Sequence, residues 1–178
     1  MKKVFMLVLV ALMTLGVCQK AQAIEDPNPK GTLIVGIRGG LYPGFGANVV
    51  GDYTLVDSWW KGHFTVGAYA GYNSRSYNWS YYTSHYSNFA VMPRATYGLN
   101  ITKQFEVHAG LMAGFNFQLD RWVYDSPNID NDSHTSFHFT YAELAGVRYM
   151  FNEKFGAEAE LVYSGYMSYF NVGVTLKL

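Results

Sequence analysis

From Phe105 to Leu119 apolar and mixed positions alternate without interruption. One side carries Phe105, Val107, Ala109, Leu111, Ala113, Phe115, Phe117 and Leu119. The other carries Glu106, His108, Gly110, Met112, Gly114, Asn116 and Gln118. A helix would repeat its apolar positions every three or four residues, so a period of two makes this stretch a strand. Its length constrains the chain further. An ordinary strand runs about five or six residues, whereas a tilted strand crossing a bilayer needs about 9–11. A uniformly apolar side opposite one that holds the charges belongs to a sheet standing between two different solvents.

The same rhythm returns in seven other predicted strands: Leu33 to Leu41, Ala47 to Val56, His63 to Tyr72, Phe89 to Leu99, Ser136 to Met150, Phe155 to Tyr163 and Phe170 to Leu178. Three of the eight are imperfect. Ala47 to Val56 is less clean, with Val49, Tyr53 and Leu55 against Asn48, Asp52 and Thr54. Pro93 interrupts another and suggests a bulge. Glu143 falls in register with Phe137, Phe139 and Tyr141, which is costly against lipid unless a bulge or a neighbouring loop relieves it. Turns at Asp57–Gly62, Asn100–Gln104 and Asn152–Lys154 are short and fall on one side. Tyr42–Gly46, Asn73–Ser87, Asp120–Thr135 and Ser164–Ser168 fall on the other, including both long loops. An even strand count with this asymmetry predicts an all-β fold: a closed eight-stranded antiparallel transmembrane β-barrel with short periplasmic turns and longer outer loops. Closure satisfies every backbone amide, which an open sheet in lipid could not do.

The first 23 residues read as a cleaved signal peptide, with Lys2 and Lys3, an apolar run from Val4 to Val17, and the small-x-small site Ala21-Gln22-Ala23. Residues 24–178 then form the barrel domain. The lone Cys18 lies in the leader behind Val17, where a lipidation signal wants a small residue, and the mature chain has no cysteine for a disulfide. Loss of Lys2, Lys3 and Lys20 turns a chain with 13 charges of each sign into one of net charge −3. Without a basic excess, no nucleic-acid partner is expected. No later apolar run is long enough for a spanning helix.

With the apolar side facing lipid, the mixed side fills the lumen. Its cations are Arg38, Arg94, Arg148 and Lys177, and its carboxylates are Asp52, Glu106, Glu158 and Glu160. Buried charges must be paired, and eight strands leave an interior about wide enough for side chains to fill. A plug of ion pairs is expected rather than an open pore.

The C-terminal octapeptide Asn171-Val-Gly-Val-Thr-Leu-Lys-Leu178 resembles the signal read by the outer-membrane assembly machinery, with Asn171, Gly173, Leu176 and Leu178 at its marked places. Leucine stands where an aromatic residue is commoner. Together with the leader and the strands, the mature chain resembles the small outer-membrane β-barrel families of the OmpA-barrel, OmpX and OmpW kind, within the porin family of outer-membrane barrel domains. That resemblance implies residence in the outer membrane, with its lipid, lipopolysaccharide and assembly machinery as partners. The chain ends with its last strand, so no wall-binding domain is expected after it.

Other candidates are weaker. Trp59 and Trp60, in a periplasmic turn, fit anchors at the headgroup boundary. Tyr77, Trp79, Tyr81, Tyr82 and Tyr86, with Arg75 and His85, are surface-binding candidates, or else rings packing on one another in an extended hairpin. Asp125, Asn128, Asp130 and Asp132 carry oxygen ligands but lack the glycine and distal glutamate of a calcium loop, so a solvated loop is expected and no metal site. Some eight-stranded barrels modify lipid A. His85-Tyr86-Ser87-Asn88 and the His134/Ser136 pair resemble parts of such a site, yet neither has an acid to orient its histidine. The expected role is therefore non-catalytic and without a cofactor: envelope integrity or binding of an unidentified surface ligand through the outer loops. A small-solute channel is the alternative, and a lipid A-modifying enzyme the second.

Overall fold

In the computed structural model, which describes residues 27–41, 44–60, 62–124 and 132–178, eight strands close into one barrel in chain order. They are β1 (Leu33–Leu41), β2 (Phe45–Trp59), β3 (Gly62–Asn78), β4 (Tyr82–Asn100), β5 (Phe105–Tyr124), β6 (Asp132–Met150), β7 (Phe155–Tyr163) and β8 (Phe170–Lys177). Every neighbouring pair is antiparallel, and β1 pairs with β8 to leave no free seam. The leader, its cleavage site and Cys18 lie outside the described residues, as do Asp125, Asn128 and Asp130.

The registers fix the geometry. From Ile37, directly opposed cross-strand partners run through Val49, Ala70, Val91 and Phe115 to Phe139 on β6. The opposite way they run through Val174 and Ala157 to Tyr149, also on β6. Phe139 and Tyr149 are ten residues apart, so the barrel has a shear of ten and its strands must tilt. Tilt carries the outer end of β6 high above the outer ends of β1 and β8.

Two periplasmic turns are built alike. Thr102 Oγ1 accepts the amides of Gln104 (3.2 Å) and Phe105 (3.0 Å), and Asn152 Oδ1 accepts those of Lys154 (2.9 Å) and Phe155 (2.8 Å). Short polar side chains that bond their own backbone suit tight turns. In the third turn Trp60 takes a positive φ of 50°, and the Tyr97 hydroxyl donates to the carbonyls of Trp59 (2.8 Å) and Trp60 (2.9 Å).

The structure corrects three expectations. Asn73–Ser87 is a hairpin whose strands meet at Trp79–Tyr81, and β5 and β6 run on through Tyr124 and from Asp132. The apolar alternation stops at Tyr72 and Phe89 because both faces are wet beyond there, while the backbone ladder continues. Pro93 causes no bulge: β4 keeps one register with β3 through it and the same register with β5 on either side. Glu143 likewise sits in an unbroken register with Leu111 and Tyr163. The irregularity falls in β2 instead, between Thr54 and Val56 and between Val56 and Trp59, which leaves both Leu55 and Val56 on the exposed side.

Candidate functional site

Side-chain parity sorts the barrel into an apolar exterior and a layered lumen. Ile37, Leu41, Val49, Val91, Leu111, Phe115, Val172 and Val174 are exposed on the outer wall. Such a surface would be an aggregation liability in water and is a solvent-matched one in lipid. Rings mark its two edges: Trp59, Trp60, Tyr149, Phe151 and Phe155 at the periplasmic side, and Phe45, Tyr72, Phe89, Phe137, Tyr163 and Phe170 at the outer side. Trp59 packs edge-on against Phe64 and Tyr97. Indole and phenol favour such boundaries because each joins an apolar body to a polar edge.

The periplasmic half of the lumen is ionic. Arg148 reaches three carboxylates, with Glu106 at 3.0 Å, Glu158 at 3.2 Å and Asp52 at 3.4 Å. Arg94 bridges Asp52 (3.0 Å) and Glu160 (2.8 Å). Arg38 lies 2.7 Å from Glu160 and 3.6 Å from Glu158, and its Nε donates to Asn48 Oδ1 at 2.6 Å. The Arg38–Glu160 contact is Coulombic, because its geometry is not that of a hydrogen bond. These three arginines and four carboxylates are all buried. Planar guanidinium forks suit this arrangement, since each can engage several carboxylates at once.

Sequence reasoning missed the histidines of this layer. His108 stands between Glu106 (3.4 Å) and Glu160 (3.3 Å), and His63 lies 3.6 Å from Glu106. With four carboxylates against three arginines, the imidazoles sit where the surplus negative charge is. Their inward parity was readable; their reach to Glu106 depended on the register between distant strands. Asn28, ahead of β1, also donates to Glu106 at 2.8 Å, so the segment before the barrel crosses its periplasmic mouth.

Lys177 does not join the network. Its Nζ donates to the Pro27 carbonyl at 2.8 Å, because it sits at the periplasmic rim below the ionic layer, where the entering chain meets β8.

Above the ions comes an apolar layer that the sequence reading did not isolate. Val50, Tyr69, Ala90, Met92, Met112, Ala142, Leu144 and Val162 form one cluster, and Met167 from the β7–β8 connection completes it. The Arg38 guanidinium lies 6.0 Å from the Tyr69 ring centre, joining the two layers. Beside the apolar layer, on the side of β1, β2 and β8, Asn48 donates to Asn171 (2.8 Å), and higher up Asn73 donates to Ser168 (2.8 Å), so the connection after β7 folds into the outer mouth. Of the C-terminal residues, Asn171 and Gly173 face the lumen, while Leu176 and Leu178 take the outward parity.

At the outer end, β3 to β6 stand as a four-stranded sheet above the rest of the barrel. β2 accompanies β3 only to Ser74, and β7 accompanies β6 only from Glu143. The Tyr77 and Tyr86 rings meet edge-on at 5.9 Å, with Arg75 over both. Trp79 stacks on Tyr82 (6.3 Å), which leans on Tyr124 (5.8 Å). Tyr81 is 81% exposed at the tip. His85 Nδ1 lies 2.8 Å from Ser76 Oγ, and the Ser87 hydroxyl accepts from Tyr72, so His85 and Ser87 take different partners. His138 stacks on Tyr166 at 5.4 Å.

A closed eight-stranded barrel with an apolar wall, aromatic edges and a polar, charged interior is an integral outer-membrane β-barrel protein. Solved structures agree on the fold. The chain is similar to the N-terminal β-barrel domain of Pseudomonas aeruginosa OprF, at 18% identity and a TM-score of 0.51, over 84% of this chain and 98% of that one. It is also similar to Ail, the attachment invasion locus protein of Yersinia pestis, at 12% identity and a TM-score of 0.52, over 83% and 95% of the two chains. A second Ail structure, in complex with the heparin analogue sucrose octasulfate, gives 14% identity and a TM-score of 0.51 over the same shares. No protein-family model and no curated protein matches the sequence.

Proposed function

We propose that this barrel is a non-conducting, non-catalytic surface protein that holds a binding sheet outside the membrane. The observation that carries the reading is the projection of β3 to β6, with rings gathered on its inner face and at its tip. The filled lumen supports it: a layer of buried ion pairs beneath a layer of methionine and aliphatic side chains is a strut rather than a path for solutes. A mounted sheet needs such rigidity, since a site on regular strands is held more closely than one on loops.

Sucrose octasulfate on Ail raises the question of a polyanionic ligand here. The projecting sheet has few cations for one, and Arg75 is occupied by two tyrosine rings. Stacking and hydrogen bonding from Trp79, Tyr82 and Tyr86 fit a weakly charged glycan or protein surface better. Cells displaying the wild type should bind an immobilised panel of glycans and matrix proteins. The triple variant Trp79→Ala, Tyr82→Ala, Tyr86→Ala should lose about tenfold or more of that binding. Equal binding by the two would remove the sheet from the function.

Asn171, Gly173, Leu176 and Leu178 are the proposed assembly signal, and Gly173 has a second duty. A Cβ there would lie 2.6 Å from Arg38 Cα and 2.7 Å from Arg38 Cγ, so the glycine seats the arginine. Gly173→Ala is expected to destabilise the folded barrel by about 1–3 kcal/mol, read from urea titration in detergent. A variant of unchanged stability that inserts slowly would assign the glycine to the signal alone.

A further inference from the structure

The outer wall carries one group at odds with its solvent. Glu143 is exposed and points outward between Tyr141 and Ala145, beside Leu111 on β5 and Tyr163 on β7. Its carboxylate makes no hydrogen bond or ion pair with any described residue. Outward residues above it are Phe137, Phe139 and Tyr141, and below it Ala145, Val147 and Tyr149. The carboxylate therefore sits one outward position below the Tyr141 ring and beside Tyr163, the outer-edge ring of β7, within the apolar wall and short of the outer headgroup boundary. A charge on this face of a barrel costs stability in proportion to its depth.

A second acceptor lies one outward position higher, on β5 beside Tyr141. Ile101 N donates to Phe105 O, which sets the odd-numbered residues of β4 and β5 as the mutually bonding pairs. By that register Pro93 faces Ala113, and the ladder resumes only at Arg94 and Met112. Proline has no N–H to give, so the Ala113 carbonyl is left without its strand partner. Around this break lies an apolar groove of about 470 Å³, lined by Val66, Pro93, Ala95, Leu111, Ala113 and Tyr141. Leu111 and Tyr141 join the groove to Glu143.

We propose that this face is a binding site for a membrane lipid whose headgroup carries a primary ammonium. The ammonium donates to the Glu143 carboxylate, while an acyl chain fills the groove beside it, along the break that Pro93 leaves in the ladder. Charge decides the headgroup, because an anionic or quaternary one would leave the carboxylate without a hydrogen bond. Depth decides that the occupant is a lipid, since the groove opens into the hydrocarbon rather than to either aqueous side.

The full barrel, inserted in vesicles containing equal phosphatidylethanolamine and phosphatidylcholine, can be released gently and its retained lipids weighed by native mass spectrometry. The wild type should retain phosphatidylethanolamine about fivefold over phosphatidylcholine, the scale of one exposed ion pair. Glu143→Gln should abolish the preference, while Glu153→Gln in a periplasmic turn keeps it. Heat-modifiable migration confirms that each variant is folded. Equal retention by the wild type, or a preference that survives Glu143→Gln, would overturn the site. So would dimers lost on Glu143→Gln with no lipid preference, since a second copy would then be what satisfies the carboxylate.

Discussion

Replacing Arg148 with methionine is expected to destabilise the folded barrel by about 3–5 kcal/mol, the range for breaking a buried ion pair from one side. The substitution removes one charge and strands three, because Glu106, Glu158 and Asp52 all lean on the same guanidinium. Arg94 remains for Asp52 and Arg38 for Glu158, so Glu106 is worst affected, left with Asn28 and the two imidazoles. Arg148→Lys should recover only part of the loss, since an ammonium is a compact charge that cannot span three carboxylates as a planar fork does. Lys177→Met supplies the contrast: among the described residues its one side-chain bond is to a carbonyl at the rim, and about 1 kcal/mol or less should be lost. Urea titrations followed by heat-modifiable migration on gels would rank the three. Equal effects for Arg148→Met and Lys177→Met would show that the ionic layer does not brace the barrel.

Adding Glu106→Gln to Arg148→Met tests the cause. If an uncompensated carboxylate is the source of the loss, the double variant should be more stable than Arg148→Met alone. If packing around the long side chain is the source, the second change should lower stability further.

What the sequence made legible follows from where each residue meets its solvent. Within the membrane a strand has one apolar and one mixed face, so Phe105 to Leu119 and Phe170 to Leu178 declare themselves. Beyond Tyr72 and Phe89 both faces are wet and the hydrophobic signal vanishes, so nothing in the pattern distinguishes the outer parts of β3 and β4 from a loop although their ladder runs on. The lumen divides differently. Parity placed Arg38, Arg94, Arg148 and the four carboxylates inside, but height along the axis depends on the shear. That is why the methionine layer of Met92 and Met112 and the His108 bridge emerge only from the registers. Lys177 has the inward parity and lies too low to use it. Glu143 is the opposite case: its outward parity was plain in the sequence, and the unbroken register confirms that nothing turns it in.

Conductance separates the strut from a channel, and the two lumen layers make the outcome specific. The wild-type barrel in a planar bilayer should give no discrete steps, because an ion must pass both a network of fixed charges and an apolar layer that cannot hydrate it. Opening one layer should not suffice. Met92→Gly with Met112→Gly widens the upper lumen but leaves Arg38, Arg94 and Glu160 packed beneath it. Arg94→Ser with Glu160→Ser removes a bonded pair together, yet leaves the methionines and Met167 above. Only the four changes combined should produce resolvable steps. Asp52, Glu106 and Glu158 would then outnumber Arg38 and Arg148 along the path, so the steps should favour cations. Steps from the wild type would mean that the charge network rearranges within the open time of the pore. The barrel would then be a small-solute channel, and the projecting sheet would guard its mouth.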